Sequence, residues 1–388
     1  MTNSAPRYLD YAATTPVDPR TIAAMVECLG IDGVFGNPAS NSHQAGMTAH
    51  ARVESARRQV AKLIGSHSDE IVWTSGATES TNLALKGFAD AAGDDVQKRH
   101  IITSQIEHKA TLDTAANLAA RGFTVTYLAP DARGEITLAA LAAALRPDTG
   151  LVSLMMVNNE IGTLTDIARI APLVRAAGAL LHVDAAQALG KTPIDVEALG
   201  IDLMSLSAHK LYGPKGIGVL YVRKAIAHRI CAQIHGGGHE RGLRSGTLPT
   251  HQIVGMGSAC ALALAESETD TQHVTRLHQR LLQAVLTLDG VSLNAATAQR
   301  IPHTVNLTIA HPNFFPFLLS ADLALSSTSA CNSAAGKASH VLLALGLSED
   351  LANRSIRVSM GRFTTEADID IAISCICTAV RQCQLVTT

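Results

Sequence analysis

Between about residues 50 and 225 the chain alternates short apolar runs with longer Ala- and Leu-rich stretches of helical spacing. The runs EIVWTS, HIITS, FTVTYL, LVSLMMV, ALLHVD, DLMSLS and GIGVLYV are the predicted strands. Near-continuous apolar character of this kind belongs to strands covered on both faces. Between them TNLALKGFADAA, KATLDTAANLAARG, LAALAAALR and IARIAPLVRAAG carry helical spacing, and two of them end at Gly, where helices tend to stop. The alternation predicts an α/β fold, doubly wound on a mostly parallel seven-stranded sheet. Past the Gly-rich HGGGHERGLRSG, a long helical stretch from about Thr250 to Leu288 leads into less regular sequence, which predicts a smaller α+β domain. The expected division is 14–260 for the large domain, with 1–13 and 261–388 forming the small one.

The 388 residues are 47% hydrophobic and 16% charged, enough to bury a core without staples and too apolar for a disordered chain. A formal net charge of -2, with no long run of either sign, lacks the footprint of a dedicated nucleic-acid binder. Seven cysteines scattered along the chain are the wrong arithmetic for a disulfide framework and point to a reducing compartment. The start, MTNSAPRYLDYAATTP, has no basic segment followed by an apolar one, and no apolar run approaches the ~18 residues of a membrane span. The expectation is a cytoplasmic protein without membrane or stable nucleic-acid contacts, acting on a small molecule or another protein.

In open parallel sheets ligands bind beyond the carboxyl ends of the strands, so function is read at those ends. The run EIVWTSGATESTNLALKGF is strand, Gly turn and helix, with Thr78 and Ser80 in the first helical residues. Backbone amides there suit a phosphate dianion, though a capped helix after a strand is also a bare connection. ALLHVDAAQ ends in His182, Asp184 and Gln187, and Asp184 either caps the next helix or faces a cationic ligand group. In DLMSLSAHKLYGPKGIG, Lys210 directly follows a strand, where a lysine must be neutralised, paired or used covalently. A phosphate cradle, a strand-end carboxylate and a strand-end amine are three handles that pyridoxal 5'-phosphate (PLP) requires. Cys331 lies in SSTSACNSAAGKAS, small polar residues that read as a mobile exposed loop and favour a reactive thiol over a packed one.

Rival motifs fail on spacing. SAAGKAS has Cys331 where a phosphate-binding loop needs Gly and Ala338 where it needs Ser or Thr. HGGGHERG lacks the G-x-G-x-x-G spacing and a strand-to-helix setting. His235 and His239 stand four apart, but the three glycines between them do not hold the helix that would make them metal ligands, so no metal is expected. Cys375 and Cys377, two apart on a predicted helix, point to different faces and are read as packing residues.

The segments YLDYAATTPVDPR, FGNPASNSHQAG, TSGATESTNLALKG, EHKA, VNNEIGT, HVDAAQALGK, SAHKLYGPKGIG, HGGGHERGLRSGTLP and SIRVSMGRFTT resemble the PLP-dependent cysteine desulfurases of the IscS/NifS type, within the class V aminotransferases. The likeness runs from Tyr8 to about Asp370. It implies the type I PLP-dependent transferase fold and a homodimer whose sites take residues from both subunits. It implies that Lys210 binds PLP covalently, that Asp184 partners the pyridinium nitrogen, that His108 stacks on the ring and moves protons, and that Gln187 hydrogen-bonds the ring hydroxyl. Ala77, Thr78, Ser207 and His209 would hold the phosphate, with Thr247 arriving from the other subunit. Asn37, Asn159 and Arg357 would bind the L-cysteine substrate, and Cys331 would take its sulfur as a persulfide for a protein acceptor in iron–sulfur assembly, tRNA thiolation or DNA phosphorothioation. The alternative is another class V enzyme, an aminotransferase or a cysteine or selenocysteine lyase, without an obligatory persulfide.

Three departures from that pattern stand out. Thr328 replaces a loop glycine and is expected to stiffen the loop. Phe314, Phe315 and Phe317 come together in NFFPF, expected in the small-domain core unless they form a docking patch. The chain ends soon after its last helix, which tilts the expected acceptor toward a specialised modification pathway.

Overall fold

The computed structural model describes residues 6–93, 98–326 and 338–385. All seven predicted strands form, as β2 (Ile71–Thr74), β3 (His100–Ser104), β4 (Thr124–Leu128), β5 (Thr149–Met155), β6 (Leu180–Asp184), β7 (Leu203–Ser207) and β8 (Gly218–Val222), after a short β1 (Arg7–Tyr8). They make one sheet in the order β2-β8-β7-β6-β5-β3-β4, in which only β8 runs against its neighbours.

Alternation along each strand explains why these segments are apolar at successive positions. Ile101, Leu151, Leu180, Leu203 and Leu220 face one core together with Leu83 and Phe88 of α3 (Ala77–Ala92) and Leu118 of α4 (Lys109–Ala120). Their neighbours Ile102, Val152, Leu181, Met204 and Val219 face a second core on the other side of the sheet. That core takes Val53 and Val60 of α2 (Gln44–Ile64) and Ile167 and Ile170 of α6 (Ile167–Ala176). A sheet with both faces covered has no polar side to alternate with. β4, at the edge, is the exception and is partly exposed. α1 (Pro19–Val26) and α5 (Leu138–Ala144) complete this layer.

α7 (Thr250–Val285) is a 36-residue helix that links the two parts of the molecule. Its C-terminal Leu277, Leu281 and Val285 enter a third core with an antiparallel sheet of β9 (Val291–Leu293), β10 (Thr304–Ile309) and β12 (Ser355–Ser359). β11 (Leu323–Ala324) pairs with β1, while α8 (His340–Ala344), α9 (Glu349–Asn353) and α10 (Glu366–Leu385) finish the chain. Cys375 and Cys377 lie on α10, as expected, and both are partly buried. The phenylalanine cluster divides against the expectation of a common core. Phe314 is fully buried, whereas Phe315 and Phe317 are 62% and 82% exposed, because Pro316 opens a short 3-10 turn that directs them outward.

Candidate active site

The order of the sheet fixes where a ligand can sit. The chain leaves β3 outward to β4 and returns on the other side of β3 as β5, so the connections after β3 and β5 diverge and open a crevice at their carboxyl ends. A cavity of about 600 Å³ occupies this region, lined from the ends of five strands and from residues 12–14 of the N-terminal segment.

Ten of the thirteen predicted site residues line it: Ala77, Thr78, His108, Asn159, Asp184, Gln187, Ser207, His209, Lys210 and Arg357. Thr247 and Asn37 are exposed and do not line it within a single chain. The Asn37 Oδ1 instead accepts from the Ala39 N–H at 2.9 Å. Cys331, with Thr328 and Asn332, lies outside the described residues.

The amine, carboxylate and imidazole form the electrostatic centre. A short 3-10 turn, Ala208–Lys210, follows β7 immediately and delivers Lys210, whose Nζ donates to the Ala12 and Ala13 carbonyls at 2.5 and 2.7 Å. No regular helix follows Asp184. Its Oδ1 accepts from the Ala186 N–H at 3.0 Å, and burial raises its pKa against the opposing charges of His108 and Lys210. A buried carboxylate in this state is stabilised by a further cation, which a ring N–H⁺ supplies. His108 caps α4, its Nδ1 accepting from Ala110 N–H at 3.1 Å, and burial lowers its pKa.

The anion cradle is built from backbone. α3 begins at Gly76, with φ +153°, and no side chain caps it, so its first N–H groups are left for a ligand. A Cβ on Gly218 would come within 2.5 Å of the Gly76 Cα, so this glycine is what lets β8 lie against the turn. The Ser207 hydroxyl stands on the same side, 3.9 Å from where a Gly76 Cβ would be. His209 contacts the Thr14 hydroxyl at 3.1 Å, and burial, then Lys210, Lys215 and Lys191, push its pKa down to about 4.

Across the cavity Arg357, 2% exposed, donates to the Asn159 carbonyl at 2.9 Å and to Asp10 at 2.7 Å. Its Nε has no hydrogen-bond partner among the described residues. A buried guanidinium with an unpartnered N–H, on a residue that lines the cavity, suits a carboxylate ligand. Together, an uncapped helix start, a strand-end carboxylate lacking a full counter-charge and an adjacent amine fit PLP, while Arg357 fits an amino-acid carboxylate.

Asp10, the Ala12 and Ala13 carbonyls, Thr14 and Lys191 were not among the predicted site residues. Two of these groups are backbone atoms with no signature in residue type, and Asp10 meets Arg357 across 347 residues of sequence. Behind Asp184 lies a buried relay in which Thr81 donates to Ser205 at 3.1 Å, and His182 bonds Ser205 and Ser153, both at 2.8 Å. Burial pushes His182 down to about 3, well below its usual 6.5. Its neutral form therefore stabilises the fold fully above pH ~6.5, and that contribution falls as pH drops toward ~3, by about 1.4 kcal/mol per unit. A His182→Gln protein is expected to be less stable at pH 7. Between pH 6.5 and 4.5 it should lose stability less steeply than the parent by about that slope. Urea denaturation across that range measures the difference, and parallel pH curves for the two proteins would contradict it.

Comparisons with known proteins agree with this arrangement. The family model of the class-V aminotransferases matches residues 7–371. The chain is 55% identical over 376 residues to the cysteine desulfurase IscS of Azotobacter vinelandii, covering 97% of this chain and 93% of that protein. Among solved structures it is similar to a NifS-like protein, with TM-score 0.87 and 36% identity over 96% of this chain and 98% of that one. A structure of SspA in complex with cysteine matches with TM-score 0.83 and 38% identity, over 92% of this chain and 100% of that one.

Proposed function

This chain belongs to the class-V aminotransferase family, and we infer that it works within it as a PLP-dependent cysteine desulfurase, converting L-cysteine to L-alanine. The observation that carries the reading is the meeting of Lys210, Asp184 and the uncapped start of α3 in one cavity with the buried guanidinium of Arg357.

When bound, PLP supplies an electron sink for charge developing at the substrate's α carbon. Arg357 and Asn159 hold the substrate carboxylate and so orient the α C–H bond. We assign the taking and return of the α proton to the Lys210 amine, for which the carbonyls of Ala12 and Ala13 give Nζ a resting position. Asp184 holds a proton on the pyridine nitrogen, and His108, kept largely neutral by burial, is able to receive or deliver a proton near the sulfur. We assign the nucleophile to Cys331. Its thiolate attacks the substrate sulfur, an S–S bond forms, the C–S pair stays with carbon and is protonated, and alanine departs. The sulfur is oxidised as the carbon is reduced, so no external redox partner is required.

The finer reading is a homodimer in a reducing compartment that passes its persulfide to a protein acceptor in iron–sulfur assembly, tRNA thiolation or DNA phosphorothioation. Apolar side chains exposed on and after α1, among them Ile22, Val26, Ile31 and Phe35, support a second copy as the cover of that face. The exposed position of Thr247 supports its service in a neighbouring site. Among the described residues Cys28, Cys231, Cys260, Cys375 and Cys377 are free thiols, which suits a reducing environment.

Incubation of the PLP-loaded protein with L-cysteine and no reductant tests the activity. Alanine is expected in step with a mass increase of one sulfur atom on the peptide containing Cys331. Pyruvate or another keto acid in place of alanine would overturn the reading.

A further inference from the structure

We propose that Lys191 is a positioning residue, which fixes the Gln187 amide so that an N–H, and not the amide oxygen, is presented to the bound cofactor. The proposal rests on the PLP reading above and extends it to a residue outside the cavity wall. Lys191 Nζ donates to Gln187 Oε1 at 3.0 Å, and Gln187 Nε2 donates to the Ala12 carbonyl at 2.8 Å. A carbonyl cannot donate, and an amine or ammonium at this position acts as donor, so both partners dictate the same orientation of the amide. Gln187 lines the cavity, and its Nε2 makes no other hydrogen bond among the described residues. One N–H is thus left for an acceptor on the ring of PLP.

The same Ala12 carbonyl also accepts from Lys210 Nζ. Lys191, Gln187, Ala12 and Lys210 therefore form one hydrogen-bonded chain from a partly buried second lysine to the catalytic amine. The charged and titratable groups acting on Lys191 are Lys210, Arg357, His209 and His303, with no carboxylate among them. Burial, reinforced by Lys210 and Arg357, pushes the Lys191 amine down to about 7. Losing its proton does not cost the interaction, because a neutral amine still donates. A ring oxygen that accepts an N–H is stabilised in its ionised form, which favours the deprotonated state of the Lys210-bound cofactor.

The test is a pH titration of the visible absorption of the PLP-loaded protein. In Lys191→Met the midpoint is expected to move upward by about one pH unit, a tenfold change in the proton equilibrium. PLP should also dissociate about tenfold more readily. Lys191→Arg, which keeps a donor, should stay near the parent midpoint, and Lys191→Ala serves in place of Met should that variant not fold. In a Gln187→Ala background the Lys191 substitution should no longer move the midpoint. An unchanged midpoint in Lys191→Met or Lys191→Ala would overturn the proposal. So would a shift that persists without Gln187, since Lys191 would then act through its own charge. Absence of any visible band in the parent protein would overturn the PLP reading as well, which separates that failure from the failure of Lys191 alone.

Discussion

Lys210→Ala protein is expected to fold, to take up PLP only by non-covalent contacts, to lack the visible absorption of the parent and to lose activity toward L-cysteine by about 10⁴-fold or more. The size of the effect follows from one amine filling two roles. In the proposed reading Lys210, which lines the cavity, both joins the cofactor and moves the α proton. Folding is expected to survive because the Lys210 side chain is only partly buried and hydrogen-bonds two backbone carbonyls that border the cavity and that water can reach once the amine is gone. Absorbance spectroscopy and alanine release measure the two losses separately. An added small primary amine should restore part of the proton transfer without restoring covalent attachment. A Lys210→Ala protein that retained the parent band and rate would remove Lys210 from the chemistry.

The sheet and the position of Lys210 are legible in the sequence for the same reason. A segment buried on both faces is written as a near-continuous apolar run, so a polar residue at its end stands out. Asp184 after LLHV and Lys210 after LMSLS are such residues, and both line the cavity. Arg357 is reached only through resemblance, because it lies within β12 and nothing in SIRVS distinguishes a cavity arginine from a paired one. Its partner Asp10 and the carbonyls that hold Lys210 come from the N-terminal segment, and contacts made by folding distant chain together leave no local pattern. The phenylalanine pair departs from expectation because hydrophobicity alone does not report the turn at Pro316–Leu319, which separates buried Phe314 from exposed Phe315 and Phe317. Lys191 reads as an ordinary residue after a Gly, since its importance lies in what it does to Gln187.

Cys331→Ser is the second large effect, and it falls on a different step. The variant is expected to keep the cofactor absorption of the parent and to bind L-cysteine. It should form no persulfide and release alanine on the order of 10³-fold more slowly. A serine hydroxyl matches the thiol in shape, but it ionises far less readily and does not make the S–S bond that draws sulfur from carbon. Cys331 itself is outside the described residues, yet the chain on either side of it is anchored at the cavity. Ser326 pairs with Arg357, whose N–H donates to the Ser326 carbonyl at 2.7 Å. On the far side the Ser339 hydroxyl donates to Glu160, and His340 Nε2 donates to the Glu107 carbonyl at 2.9 Å, one residue before His108. Both attachments therefore fall on residues at or next to the proposed substrate and cofactor contacts. Quantifying alanine and mapping bound sulfur by mass spectrometry distinguishes the alternatives. If Cys331→Ser released sulfide and alanine at the parent rate, the enzyme would be a lyase in which this thiol has no part. Unchanged cofactor absorption alongside lost sulfur transfer assigns the nucleophile to Cys331 and leaves Lys210 responsible for the chemistry at carbon.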